Sequence, residues 1–248
     1  MGKLSSLIRA ASGKKRFNSA IILAAGSGTR FGDDKAKQFV EIDGIPVLVR
    51  SALAFENSEE IHEIVVVTRK ADVEGCRNIL KNAGITKLTS VVAGGDTRQQ
   101  SAKIGFEAAN PDCDFVAIHD AARCLVTNDM IEAAFESAYV NGAAACEGRV
   151  VDTIKKSNGN NIITVTVDRE NTWLVQTPQI FMADMYRAAS YMAEKDGVNV
   201  SDDCALCERL GFKVKLVDCG KTNIKITYPE DVIFAEAILK SREKEKQK

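Results

Sequence analysis

Short unbroken apolar runs alternate along the chain with longer segments whose apolar positions recur every three or four residues. Residues 19–25 (SAIILAA), 63–68 (EIVVVT) and 114–119 (DFVAIH) predict buried strands, each ended by a polar or Gly-rich break. Residues 46–55, 73–83, 99–109 and 129–140 carry helical spacing instead. This alternation predicts an α/β fold: a doubly wound, mostly parallel, Rossmann-like sheet with right-handed crossover helices on both faces. Such sheets bind substrates beyond the carboxyl ends of their strands, so the residues that follow each strand hold the candidate chemistry.

The alternation breaks at residues 150–172. Two strand-like stretches, 151–156 and 161–167, flank Ser157-Asn158-Gly159-Asn160, a strong turn signal, and predict a protruding β-hairpin arm. A lone hairpin buries too little to stand alone, so the arm is expected to lean on a second subunit, with Trp173, the only tryptophan, anchoring its base. Beyond it, residues 182–194 and 202–210 read as helices and 213–219 as a strand. Pro229 opens a closing helix over 229–240, since the first helical turn needs no partner for its missing N–H. The expected organisation is one domain over 19–240, a basic acid-free leader over 1–18 and a charged tail over 241–248.

Charge narrows the partners. The 33 Lys and Arg nearly cancel the 34 Asp and Glu, so no global field attracts nucleic acid or an anionic membrane. An anionic substrate must therefore meet a local cluster of cations. There is no apolar run of spanning length and no signal-peptide core, and seven scattered cysteines fit reduced thiols in a cytoplasmic protein. Cys204 and Cys207 form a C-x-x-C, but with only His62 and His119 as histidines a four-ligand zinc site is hard to assemble.

The most informative stretch follows the first strand: Leu23-Ala24-Ala25-Gly26-Ser27-Gly28-Thr29-Arg30-Phe31-Gly32, then Lys35-Ala36-Lys37-Gln38-Phe39. Small residues let the backbone approach a ligand and turn N–H groups toward phosphate oxygens, while Arg30 and Lys37 add cations at the same loop. It lacks the third glycine of a dinucleotide fingerprint and the G-K-[ST] of a Walker loop.

This loop resembles the signature of the sugar-phosphate nucleotidyltransferases, in the branch acting on methylerythritol phosphate. Further segments resemble the family's in order: Gly94-Gly95-Asp96-Thr97-Arg98-Gln99-Gln100-Ser101, His119-Asp120-Ala121-Ala122-Arg123, Asp152-Thr153-Ile154-Lys155, Asp168-Arg169 with Leu174 to Phe181, Ser201-Asp202-Asp203, and Asn223-Ile224-Lys225-Ile226-Thr227. The resemblance implies transfer of a cytidylyl group from CTP to 2-C-methyl-D-erythritol 4-phosphate, a step in non-mevalonate isoprenoid precursor synthesis, with Mg²⁺ or another divalent cation. It also implies a homodimer in which each arm completes its neighbour's pocket.

By that resemblance Arg30 and Lys37 stabilise the transition state, while Arg169 and Lys225 aim the attacking phosphate. Ala24, Ala25, Gly26, Gly28, Gly95, Asp96 and Ser101 hold CTP. Asp120, Arg123, Thr153, Arg169, Thr177 and Lys225 hold the acceptor. The roles are chemically coherent. Nucleotidyl transfer spreads charge over a crowded phosphorus, so fixed cations and a metal do most of the work. The nucleophile is already an anion near neutral pH, so no general base is needed. Asp120 remains open between a Mg²⁺ ligand, an acceptor-hydroxyl ligand and a simple turn cap; His119 reads as a packed strand-end residue.

Three positions depart from the family pattern: Ala36 and Cys124 each stand where proline is usual, and Ser201 where threonine is. None removes a charge the mechanism needs. A ribitol 5-phosphate cytidylyltransferase is the nearest rival; a non-catalytic nucleotide-binding relative is the rival of a different class.

Overall fold

The computed structural model describes residues 15–26, 31 and 37–246, apart from the side chains of Lys37 and Lys246. Gly28, Arg30 and the Lys37 side chain therefore lie outside the described residues.

The predicted alternation is present. In chain order the elements are β1 (Asn18–Ala24), a short hairpin of β2 (Glu41–Ile42) and β3 (Ile45–Pro46), α1 (Val47–Glu56), β4 (Glu63–Thr68), α2 (Val73–Asn82), β5 (Leu88–Ala93), α3 (Arg98–Glu107), β6 (Phe115–Asp120), α4 (Asn128–Asn141) and β7 (Ala143–Arg149). The arm follows as β8 (Lys155–Ser157) and β9 (Ile163–Thr166). Then come β10 (Trp173–Met182), α5 (Ala183–Lys195), α6 (Asp203–Arg209), β11 (Lys215–Asp218) and α7 (Glu230–Lys246). The main sheet has seven strands in the order β11-β7-β10-β6-β1-β4-β5. β10 runs antiparallel to both its neighbours, and every other pairing is parallel.

Side-chain alternation along the strands builds one core on each face. On β1, Ala20, Ile22 and Ala24 face a cluster containing Leu48 and Phe55 of α1, Leu80 of α2 and Phe135 of α4. Ile21 faces the opposite cluster, with Phe106 of α3, Tyr186 of α5 and Leu206 of α6. Each fully buried Ile contributes about 1.5–3 kcal/mol. A smaller third cluster joins Ala235 of α7 to Ile42, Leu125 and Ile226.

Caps set the helix starts that border the carboxyl edge of the sheet. Thr97 and Gln100 form a reciprocal capping box at α3, and the Asp202 side chain accepts from the Ala205 N–H at α6. Two of the expected elements differ markedly in extent. The arm's ladder covers only Lys155–Ser157 and Ile163–Thr166, shorter than the strand-like stretches, with a register shift beside its turn. α7 continues to Lys246, beyond the expected end at residue 240, and Arg242 ties it back to the Leu125 carbonyl at 2.8 Å and Thr222 Oγ1 at 2.9 Å.

Candidate active site

β1 and β6 are parallel neighbours, with Leu23 opposite Asp120, so both chains leave the sheet side by side at their carboxyl ends. Beyond that edge lies a cavity of about 390 Å³. One side is the turn after β1 (Ala24, Ala25, Gly26); a second is the Gly95–Asp96 turn leading to Ser101; a third is Asp120 with Lys225. The first two sides approach closely because Gly94 has no side chain. A Cβ there would stand 2.6 Å from Ser101 Oγ and 2.9 Å from Ala25 Cβ.

The polar wall is an ion-pair chain. Lys225 Nζ lies 2.6 Å from Asp120 Oδ2, and Arg98 Nε lies 3.2 Å from Asp120 Oδ1. Arg98 continues to Asp203, 2.6 Å away, whose other oxygen accepts from the Tyr186 hydroxyl at 2.9 Å. Burial alone would raise the Asp120 carboxyl; the Arg98 and Lys225 charges, with the Lys225 hydrogen bond, outweigh it and hold the group well below the usual carboxylate range. Burial would likewise lower Arg98, but Asp203 and Asp120 push it above its ordinary value. For Asp203 burial wins and the carboxyl is raised despite Arg98.

Behind this wall Thr177 is buried, and its Oγ1 accepts from the Asp120 N–H at 3.0 Å and lies 3.1 Å from His119 Nδ1. His119 is fully buried against Phe55, and burial pulls its imidazole down to about 3, so it stays neutral. As expected it is a packed strand-end residue. Arg123 turns from the cavity toward two carbonyls, Asn223 O at 2.8 Å and Val175 O at 3.3 Å. Thr153 and Arg169 sit on the exposed arm and do not line the cavity; Arg169 Nη1 donates to Val151 O at 3.1 Å. Trp173 lies at the arm's base, paired with Arg149 across β10 and β7 and covered by its guanidinium.

The structure thus gathers Ala24, Ala25, Gly26, Gly95, Asp96, Ser101, Asp120 and Lys225 around one cavity. It also brings in Arg98 and Gln38, to which sequence reasoning assigned no role. Arg98 stands inside the Gly94–Ser101 motif, but its contact with Asp120, 22 residues away, carries no sequence signal.

Among the described residues no group of three or more His, Cys, Asp or Glu forms a metal cage. Asp120 nonetheless suits a divalent ion. It is kept ionised, it lines the cavity, and among the described residues each of its oxygens has one side-chain partner, leaving lone pairs open. Mg²⁺ commonly takes one or two carboxylates and fills its shell with substrate phosphates and water.

A mostly parallel sheet whose carboxyl edge sets a small-residue turn opposite an ion-paired Lys225–Asp120–Arg98 wall has the layout of a nucleotidyltransferase site. The family model for IspD, 2-C-methyl-D-erythritol 4-phosphate cytidylyltransferase, matches residues 19–241. The chain belongs to that family. Enzymes of this name from Caldanaerobacter subterraneus and Alkaliphilus oremlandii are 44% and 40% identical, each across 90% of this chain and 98% and 95% of their own lengths. The crystal structure of 4-diphosphocytidyl-2C-methyl-D-erythritol synthase from Anaerococcus prevotii superposes with a TM-score of 0.81 at 31% identity, over 91% of this chain and 96% of that one. The cytidylyltransferase from Thermus thermophilus gives 0.72 at 30%, over 89% and 98%.

Proposed function

We propose that the chain transfers the cytidylyl group of CTP to 2-C-methyl-D-erythritol 4-phosphate, forming 4-diphosphocytidyl-2-C-methyl-D-erythritol and releasing pyrophosphate. The observation that carries this reading is the cavity itself: a close-packed backbone turn for a pyrimidine faces a Lys225–Asp120–Arg98 wall suited to phosphates and hydroxyls.

Ala24, Ala25, Gly95, Asp96 and Ser101 read the cytosine edge at short range, and Gly26 and Gly28 complete the CTP-binding set. Arg30 and Lys37 neutralise the charge that builds on the α-phosphate and the departing pyrophosphate. Lys225 orients the acceptor phosphate, whose oxygen attacks the α-phosphorus in line with the leaving group. No proton has to leave the nucleophile, which agrees with a site whose one nearby imidazole is buried and neutral. Asp120 would hold Mg²⁺, which supplies charge neutralisation on the triphosphate when bound.

Thr153 and Arg169 belong on this reading to a pocket in the opposite subunit of a homodimer, with Arg123 and Thr177 supporting the acceptor side from within. The arm's outward apolar strip supports it: Ile162 and Ile163 are each 61% exposed and Val165 50%. Among the described residues no helix is long and apolar enough to cross a membrane. The seven scattered cysteines support assigning the enzyme to the reducing cytoplasm.

Pyrophosphate release from CTP, measured with methylerythritol phosphate and ribitol 5-phosphate, tests the reaction, with Lys37→Ala as control. Release that depends on methylerythritol phosphate and collapses in the variant is expected. Preference for ribitol phosphate, or CTP binding without release, would overturn the assignment.

A further inference from the structure

Lys225 reaches the cavity from an irregular segment between β11 and α7, so something other than a ladder or helix must fix its position. Asn223, two residues earlier, is fully buried. Its Nδ2 donates to Gln176 Oε1 and to the Thr177 carbonyl, both at 2.9 Å, and its own carbonyl accepts from Arg123 Nη1 at 2.8 Å. The Gln176 amide in turn donates to the Gly220 carbonyl at 3.1 Å. Two buried amides therefore stitch the Lys225 segment to β10, the strand that returns from the arm. Amide orientation is not ambiguous here. Both Asn223 contacts are acceptors, so a flipped amide would put oxygen against oxygen twice.

The stitch also reaches the arm's outgoing strand. A Cβ on Gly148 would stand 2.8 Å from Gln176 Nε2 and 3.2 Å from the Gly220 carbonyl, so the Gln176 amide and its Gly220 acceptor fill the space above the end of β7.

We propose that Asn223 is a positioning residue for the acceptor half of the reaction: it locks Lys225 and Arg123 to the base of the arm. The proposal rests on the reading above, in which Lys225 holds the acceptor phosphate. The CTP side of the cavity, built on the turns after β1 and β5, does not depend on this lock. Loss of the lock is thus felt by one substrate and not by the other.

The test is Asn223→Asp, which keeps the shape but replaces both donors with oxygen. The expected result is a fall of about 10–100-fold in kcat/KM for methylerythritol phosphate, the loss that a displacement of roughly 1 Å brings to a working group, with the KM for CTP within about twofold of wild type. A merely structural role predicts equal damage to both substrates, or a lower kcat in proportion to folded protein with both KM values unchanged; either outcome overturns the proposal. Should Asn223→Asp fail to fold, Gln176→Ala, which keeps the Asn223 bond to Thr177, is expected to give a smaller loss with the same acceptor bias, and no bias overturns the proposal. Lys225→Ala separates the two layers of argument. If it leaves the acceptor KM unchanged, the reading of Lys225 and the lock fall together. If it impairs the acceptor while Asn223→Asp does not, the lock alone falls.

Discussion

Replacing Arg98 with methionine tests the ion-pair wall through stability, independently of turnover. The change keeps an unbranched apolar stem and deletes the charge that joins Asp120 to Asp203, 3.2 Å and 2.6 Å away. The Asp203 side chain is 1% exposed, so its carboxylate loses its counter-ion in a place water does not reach. Removing one partner of a buried pair costs roughly 3–5 kcal/mol; Arg98 is 29% exposed, which favours the lower end, about 3 kcal/mol. At roughly 2–4 °C per kcal/mol for a chain of this size, Tm should fall by about 6–12 °C at pH 8. The pH dependence follows from the direction of each shift. Asp203 is already raised by burial and rises further without Arg98, so the folded variant takes up a proton more readily than the unfolded chain and regains stability as pH falls. Asp120 is depressed: its contribution is present above the unfolded carboxylate pKa and is lost as pH falls through its folded value, so the wild type sheds part of its advantage only in strong acid. The gap between wild type and variant should therefore narrow from pH 8 to pH 5 in thermal unfolding followed by calorimetry. A variant with wild-type Tm at pH 8, or a loss that is the same at both pH values, would refute the reasoning.

Gly94→Ala should raise the KM for CTP on the order of tenfold in steady-state kinetics with little change in the acceptor KM, because the new methyl meets Ser101 Oγ at 2.6 Å and Ala25 Cβ at 2.9 Å and opens the base side of the cavity. Glu147 is buried, and desolvation followed by the Asp202 and Glu208 charges pushes its carboxyl up to about 7. A raised acid favours the folded state below its unfolded pKa and loses that benefit as pH rises through the folded value, so Glu147→Gln should raise Tm at pH 8 and the gain should fade by pH 5. Gly105→Ala drives a methyl to within 2.3 Å of Ile21 Cγ2 and 2.6 Å of Val67 Cγ2; denaturant unfolding should show a loss of about 1–3 kcal/mol from overpacking between α3 and the sheet.

How much of this was legible in the sequence depended on whether the signal was local. β1, β4 and β6 are buried on both faces and read as continuous apolar runs. β7 escaped notice because Ala143, Ala144 and Ala145 favour helix in isolation; all three are fully buried, where small side chains let neighbouring elements close over the strand. β10 escaped because Gln176, Thr177, Pro178 and Gln179 look like a turn, yet the ladder to β7 shifts register between Val175 and Gln179 and resumes beyond the proline. β5 escaped because it is an edge strand whose apolar run is broken by Thr89 and Ser90. In the site, the Gly-rich turns and Lys225 stood within recognisable motifs. The connection of Arg98 to Asp203 spans 105 residues and that of Asn223 to Gln176 spans 47, and no periodicity carries pairings of that kind.

The most direct test of the central claim is acceptor-dependent pyrophosphate release by a variant with Arg30 and Lys37 both changed to glutamine, compared with wild type at saturating CTP. If fixed side-chain cations carry the transfer, the single-turnover rate should fall by about a thousandfold or more, at roughly 1.4 kcal/mol of lost transition-state stabilisation per factor of ten. A rate within about tenfold of wild type would mean that the charge developing at phosphorus is neutralised by something other than these two residues.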